Sequence, residues 1–96
     1  MALIENDLVF KALSVLAIEK SLLDVDKKIY DKVIDKLNKD FHCYLPDCYE
    51  HPEYLSKILG EWHGNSYQRI IESINLQLAE FSYMDPVRRF LEIINK

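Results

Sequence analysis

The sequence contains little of the two residues that most often interrupt regular secondary structure. Among its 96 residues are two glycines and three prolines, and no segment is low in complexity. A fold of many short strands needs frequent turns, and a disordered chain is poor in apolar residues, whereas 49% of this chain is apolar or aromatic. These features argue against a turn-rich all-β protein and against disorder, and they favour a helical domain.

The sequence also lacks a long hydrophobic run. No apolar segment approaches the ~20 residues that span a bilayer. Met1 to Ile4 lead directly into Glu5 and Asp7, without the basic region and following apolar region of an export signal. We therefore expect a cytoplasmic protein that makes no contact with a membrane.

An excess of positive charge is missing as well. Twelve Lys and Arg face sixteen Asp and Glu, for a formal net charge of −4. Binding to a phosphate backbone requires clustered, uncompensated cations. The five lysines between Lys27 and Lys39 are interleaved with aspartates at spacings such as Asp35 to Lys39, which form i,i+4 ion pairs. We expect a solvated, salt-bridged face there and no nucleic-acid partner.

A chain of this length predicts one domain over residues 1–96, because roughly 60 to 65% of its unfolded surface can be buried. The most regular apolar stripe lies at residues 65–81, where the side chains recur at the spacing of one helix face. It comprises Tyr67, Ile70, Ile71, Ile74, Leu78 and Phe81. We predict that this segment is the central helix of an all-α, single-domain bundle of about five helices.

Capping residues and apolar spacing give the bounds of the other four helices. The first helix runs from Glu5 to about Leu23, with Asn6 or Asp7 as its cap, and the second runs from a cap at Asp24 or Asp26 to about Asp40. The third helix runs from Pro52 to Gly60. The last begins at Asp85-Pro86, and its apolar stripe consists of Val87, Phe90, Leu91 and Ile94. Gly60 is expected in the left-handed conformation and Asp85 as a capping carboxylate. Trp62 is expected on the inner face of the third helix.

The first predicted helix is apolar over most of its circumference. Between Asp7 and Glu19 its only polar residues are Lys11 and Ser14. Val9, Leu13, Leu16 and Lys20 share one face, with Phe10, Ala12, Ala17 and Ile18 around the sides. Either a small bundle wraps this helix, or one side of it stays as a contiguous apolar patch, which usually marks a protein–protein contact.

A symmetric dimer is the commonest way to cover such a patch. We predict a homodimer with the first helix at or near its interface, and we take Val9, Val15 and Leu16 as the candidate interface residues. The competing interpretation is that an unknown protein partner occupies this surface.

The segment 42–51 holds four potential zinc ligands: His42, Cys43, Cys48 and His51, with His63 as a spare. Cys43, Cys48 and His51 are the set that could best hold the metal, but adjacent His42 and Cys43 rarely face one ion, and structural sites usually space their ligands as two separated pairs. A free cysteine is also among the most buried of residues. We favour cysteines that are reduced and packed against the core, and we expect no metal and no cofactor.

The segment from Phe41 to Leu59 resembles a known family. An aromatic residue ends a helix, apolar residues surround an acidic one, and a proline begins an amphipathic turn that closes on Leu-Gly; here these are Phe41, Cys43, Leu45, Asp47, Cys48, Pro52, Leu55, Leu59 and Gly60. This order is similar to that of small archaeal helical domains grouped as the Nitrosopumilus output domain family. The resemblance implies a signal-output or interaction module without catalytic residues, aliphatic-like roles for Cys43 and Cys48, and a helix-terminating position at His42.

No pattern in the sequence points to catalysis. The cysteines and histidines of segment 42–51 lack an identifiable third partner that would orient a base, and neither glycine belongs to a phosphate-binding loop. We therefore predict a non-enzymatic helical interaction or signalling-output module. The alternatives are a small zinc-binding domain and, less favoured, a DNA-binding regulator.

Overall fold

The structure is a computed structural model that describes residues 2–61 and 65–95. Five α-helices and two 3₁₀ helices make up this part of the chain, and no strand occurs in it. They are α1 (Ala2–Val25), α2 (Lys27–Phe41), a 3₁₀ helix at Leu45–Cys48, α3 (Pro52–Gly60), α4 (Asn65–Gln77), a 3₁₀ helix at Ala79–Phe81, and α5 (Asp85–Ile94). The Cα radius of gyration is 12.7 Å, close to the ~13 Å of a compact 100-residue domain. The predicted single all-α domain is confirmed.

The first two helices meet at a short, capped junction. α1 extends beyond both of its predicted ends, so Asn6 and Asp7 lie inside the helix and not at its start. α2 begins after Asp26, whose carboxylate accepts a hydrogen bond from the backbone N–H of Lys28 at 2.9 Å. This cap satisfies one of the free N–H groups of the first turn.

The third helix has its predicted bounds, but the roles predicted for Gly60 and Asp85 at helix ends are wrong. Gly60 is the last residue of α3 and has no positive φ, whereas His42 ends α2 in the left-handed conformation, with φ 53°. Asp85 is the first residue of α5, after an N-cap at Met84, and its carboxylate accepts a hydrogen bond from the Arg88 guanidinium at 2.9 Å. Trp62 lies outside the described residues.

The predicted apolar stripes form the core. Ile70, Ile71, Ile74 and Leu78 of the α4 segment are buried, as are all four stripe residues of α5. Tyr67 and Phe81 are partly buried against them. The regular helix ends at Gln77, and the remainder of the predicted stripe continues through the second 3₁₀ helix.

The element with the most neighbours is α1, not the predicted central helix α4. α1 packs against α2, α4, α5 and the first 3₁₀ helix, while α4 packs chiefly against α1. The core side of α1 carries Ser14, Ala17, Ile18, Ser21 and Leu22, all buried. The hydroxyl of Ser21 donates to Ser73 at 2.8 Å and accepts from Gln77 at 2.9 Å. A long helix with small side chains on one side lets its neighbours approach closely, and this accounts for the position of α1.

Candidate functional site: the outer face of α1

The side of α1 that faces away from the core is apolar and open to solvent. At 3.6 residues per turn, one set of side chains falls opposite Ser14, Ile18 and Ser21. This set, which we call the outer face, comprises Leu8, Val9, Ala12, Val15, Leu16, Glu19 and Leu23. The exposed fractions of its large side chains are 61% for Leu8, 52% for Val9, 57% for Leu16 and 43% for Leu23. Isolated exposed leucines are ordinary, but a continuous row of them along one helix is not.

The 3₁₀ helix at Leu45–Cys48 widens this surface into a groove. Pro46 lies exposed beside α1, and together with the outer face it bounds an open cavity of about 430 Å³. The apolar lining consists of Leu8, Ala12, Val15, Leu16 and Pro46. Lys11 and Glu19 complete the lining. An apolar floor with a few charged groups is the usual composition of a protein–protein contact surface.

The two charged residues of the groove, Lys11 and Glu19, differ in whether they form an ion pair within the chain. The Lys11 ammonium lies 3.1 Å from the Glu50 carboxylate, and both side chains are partly exposed. Glu19 forms no ion pair with any side chain that the structure describes. The groove therefore offers a carboxylate that a partner could engage.

The three predicted interface residues all lie on the outer face of α1. Val9 and Leu16 are exposed, and Val15 is half-buried in the groove. Leu13, which we expected on the same face, instead packs against the core. The interface role of these residues remains a prediction.

Both cysteines are buried and free. The exposed fraction is 9% for Cys43 and 0% for Cys48. Burial raises the pKa of both thiols, and that of Cys48 rises to about 12, with smaller contributions from Cys43 and Asp47. Cys48 is therefore a neutral thiol at pH 7 and packs as a small apolar side chain.

The third residue of the proposed zinc set lies apart from the thiols. His51 is exposed and stacks on Tyr54 with ring centroids 4.8 Å apart, and its Nδ1 lies 3.1 Å from the Glu53 carboxylate. Tyr54 in turn stacks on Phe41 at 4.3 Å. No three His, Cys, Asp or Glu side chains within the described ranges are grouped to hold a metal. His63 lies outside those ranges.

Two lysines of α2, Lys36 and Lys39, form ion pairs with acidic side chains. Lys39 lies 3.2 Å from Asp35, as the i,i+4 spacing predicted. Lys36 lies 2.9 Å from Glu61 and 3.9 Å from Asp40. The hydrogen bond and charge of Glu61 raise the pKa of Lys36. These pairs reduce the positive potential available for a phosphate backbone.

Comparison with known proteins finds no matching family model, no similar curated protein and no similar solved structure. The family resemblance noted above thus remains a prediction. Among the described helices, none combines the length and the apolar character needed to cross a bilayer. The outer face of α1 is the feature on which a functional assignment can be based.

Proposed function

We propose that this protein is a non-enzymatic interaction or signalling-output module, and that the outer face of α1 is its contact surface. The observation that carries the proposal is the row of four large, exposed apolar side chains on one side of a helix whose other sides are packed. Monomeric proteins rarely leave such a row uncovered, because covering it removes apolar area from water at roughly 25 cal/mol per Å².

We take a second copy of the chain as the partner. A homodimer covers two identical apolar faces in one contact and needs no other component. The role as a signal output rests on the family resemblance, the cytoplasmic location on the lack of an export-signal pattern in the sequence, and the contact surface on the geometry of α1.

The state of the cysteines supports a non-enzymatic role. A nucleophilic cysteine needs a thiolate in an accessible, electropositive environment. Burial, with smaller contributions from the nearby Cys43, Asp47 and Glu53, raises the pKa of Cys48 to about 12. Cys48 thus contributes to packing and lacks the character of a catalytic nucleophile.

The alternatives give different results with the purified protein. One zinc ion per chain, lost together with the fold in EDTA, would favour a zinc-binding domain. Tight, salt-dependent binding to duplex DNA would favour a regulator.

Light scattering behind size exclusion tests the proposed assembly. We expect a mass of twice the 11.4 kDa chain at high micromolar concentration, falling on dilution as the dimer dissociates. A mass that stays at 11.4 kDa across the whole range would rule out the homodimer. If the protein is monomeric and also recovers no stoichiometric protein partner from its native cell, the contact-surface proposal fails.

A further inference from the structure

The distribution of residues on the outer face distinguishes the two ways in which two copies of α1 can pair. Around the helix, Ala12 and Glu19 lie near the middle of the seven outer-face residues, with Ala12 exposed and Glu19 half-exposed. Leu8 lies one turn before Ala12, Leu23 one turn after Glu19, and Val15 and Leu16 lie between them. The face is thus apolar along its length except for one carboxylate.

Parallel pairing of two such faces is unfavourable. When two parallel helices are related by a two-fold axis, each central residue faces its own copy. Glu19 would then meet Glu19 of the second copy in the middle of an apolar contact, where like charges repel and both lose water.

Antiparallel pairing removes this conflict. If the two-fold axis passes between Val15 and Leu16, residue i of one copy lies beside residue 31 − i of the other. Glu19 then faces the small methyl group of Ala12, and Leu8 lies beside Leu23. Near the axis, Val15 of each copy packs against Leu16 of the other.

The charges at the edge of the face fit the same register. Lys11 neighbours Ala12 in sequence, so in this arrangement it lies within one residue's rise, ~1.5 Å along the helix, of Glu19 of the second copy. Lys11 is already held at the surface by Glu50, 3.1 Å away, so less freedom is lost when it pairs again. Lys20, which occupies the opposite edge of the face, does not meet Lys11 of the second copy.

We propose that two chains associate through antiparallel packing of α1 against α1, with Lys11 of each chain paired with Glu19 of the other. This inference rests on the proposed function, since it specifies the geometry of the same contact. It makes Lys11 and Glu19 determinants of the orientation of the dimer, while the leucines supply the buried apolar area.

Disulfide trapping tests the orientation. The variants Ala12→Cys and Glu19→Cys are prepared separately, mixed as reduced proteins and oxidised, and the products are identified by mass spectrometry. Antiparallel pairing predicts the mixed 12–19 disulfide. Two Ala12→Cys chains cannot be joined, because seven residues separate them along the axis, about 10 Å, beyond the reach of a disulfide. The unsubstituted chain, whose Cys43 and Cys48 are buried, is the control for background oxidation.

A charge exchange provides an independent readout. Glu19→Lys and Lys11→Glu are each expected to raise the homodimer Kd about tenfold, because each loses two equivalent ion pairs and gains repulsion. Mixing the two variants restores both pairs in a heterodimer, which should recover the affinity of the unsubstituted chain at low salt and lose that advantage at high salt.

The outcomes separate this inference from the function on which it rests. Predominant 12–12 and 19–19 disulfides would establish parallel pairing and overturn the inference. A dimeric mass with no disulfide in any mixture, or with no effect of either charge reversal, would also overturn it and would leave the proposed contact module standing. A chain that is monomeric at every concentration overturns the homodimer and the antiparallel pairing together.

Discussion

Replacing Ile74 by alanine is expected to lower the free energy of unfolding by about 2 to 5 kcal/mol. Ile74 is fully buried in α4, among the other side chains of the predicted stripe. Truncation removes its transfer free energy and leaves a cavity that the surrounding helices fill only in part. A domain of this size has a total stability near the lower end of about 5 to 15 kcal/mol, so the loss is a large fraction of the whole.

The matched control lies two residues further along the same helix. Leu76 is 77% exposed, so Leu76→Ala should change the free energy of unfolding by less than about 0.5 kcal/mol. Urea melts of the three proteins make the comparison. A loss below about 1 kcal/mol for Ile74→Ala, or equal losses for the two variants, would contradict the assignment of the core face.

A lysine at position 18 should unfold the chain, whereas a lysine at position 16 should leave it folded and monomeric. Ile18 is fully buried and Leu16 is 57% exposed, although only two residues separate them on α1. An unpaired charge in the core costs on the order of 3 to 5 kcal/mol, comparable to the stability of the domain. On the outer face the same charge remains hydrated, and it opposes only the contact between chains.

Circular dichroism and light scattering together measure this difference. Ile18→Lys should lose its helical signal at 25 °C. Leu16→Lys should keep that signal and run as a single chain. Val9→Lys and Val15→Lys extend the test along the outer face. If every one of these variants stays dimeric, the interface lies elsewhere on the molecule.

The sequence predicted the core faces of α2, α4 and α5 because each of these helices is apolar on one side only. Val33 and Leu37 of α2 are buried, and Lys39 on its other side pairs with Asp35 in solvent. In such helices the apolar spacing alone identifies the buried side. The fold class and the approximate helix order followed from these stripes.

The orientation of α1 could not be predicted in this way, because apolar residues surround it. We grouped Leu13 with Leu16, yet Leu13 packs against the core and Leu16 is exposed. The signal that could have separated them is the recurrence of small residues at Ser14, Ala17 and Ser21. Small side chains within an apolar helix allow another helix to approach closely, and Ser21 indeed meets Ser73 of α4.

Residue propensities did not identify the left-handed residue that ends α2. Glycine is the usual left-handed residue at a helix end, which directed attention to Gly60. In the structure the left-handed residue is His42 at the end of α2, where the resemblance implied a helix-terminating position, and histidine tolerates this conformation better than most residues. The Asp47 carboxylate then accepts the backbone N–H of Tyr44 at 2.8 Å and fixes the start of the 3₁₀ helix that carries Pro46. The sequence therefore did not predict that Pro46 would lie beside α1 and form one side of the groove.

The central claim, that the outer face of α1 is covered in solution, can be measured directly on the unsubstituted protein. Leucine methyl signals are recorded with a soluble paramagnetic agent, at concentrations above and below the dimer Kd. Leu76, exposed on α4, is the internal reference for the Leu16 methyl groups. We predict that Leu16 is protected relative to Leu76 at the high concentration and loses that protection on dilution. Equal relaxation enhancement of Leu16 and Leu76 at both concentrations would contradict the claim.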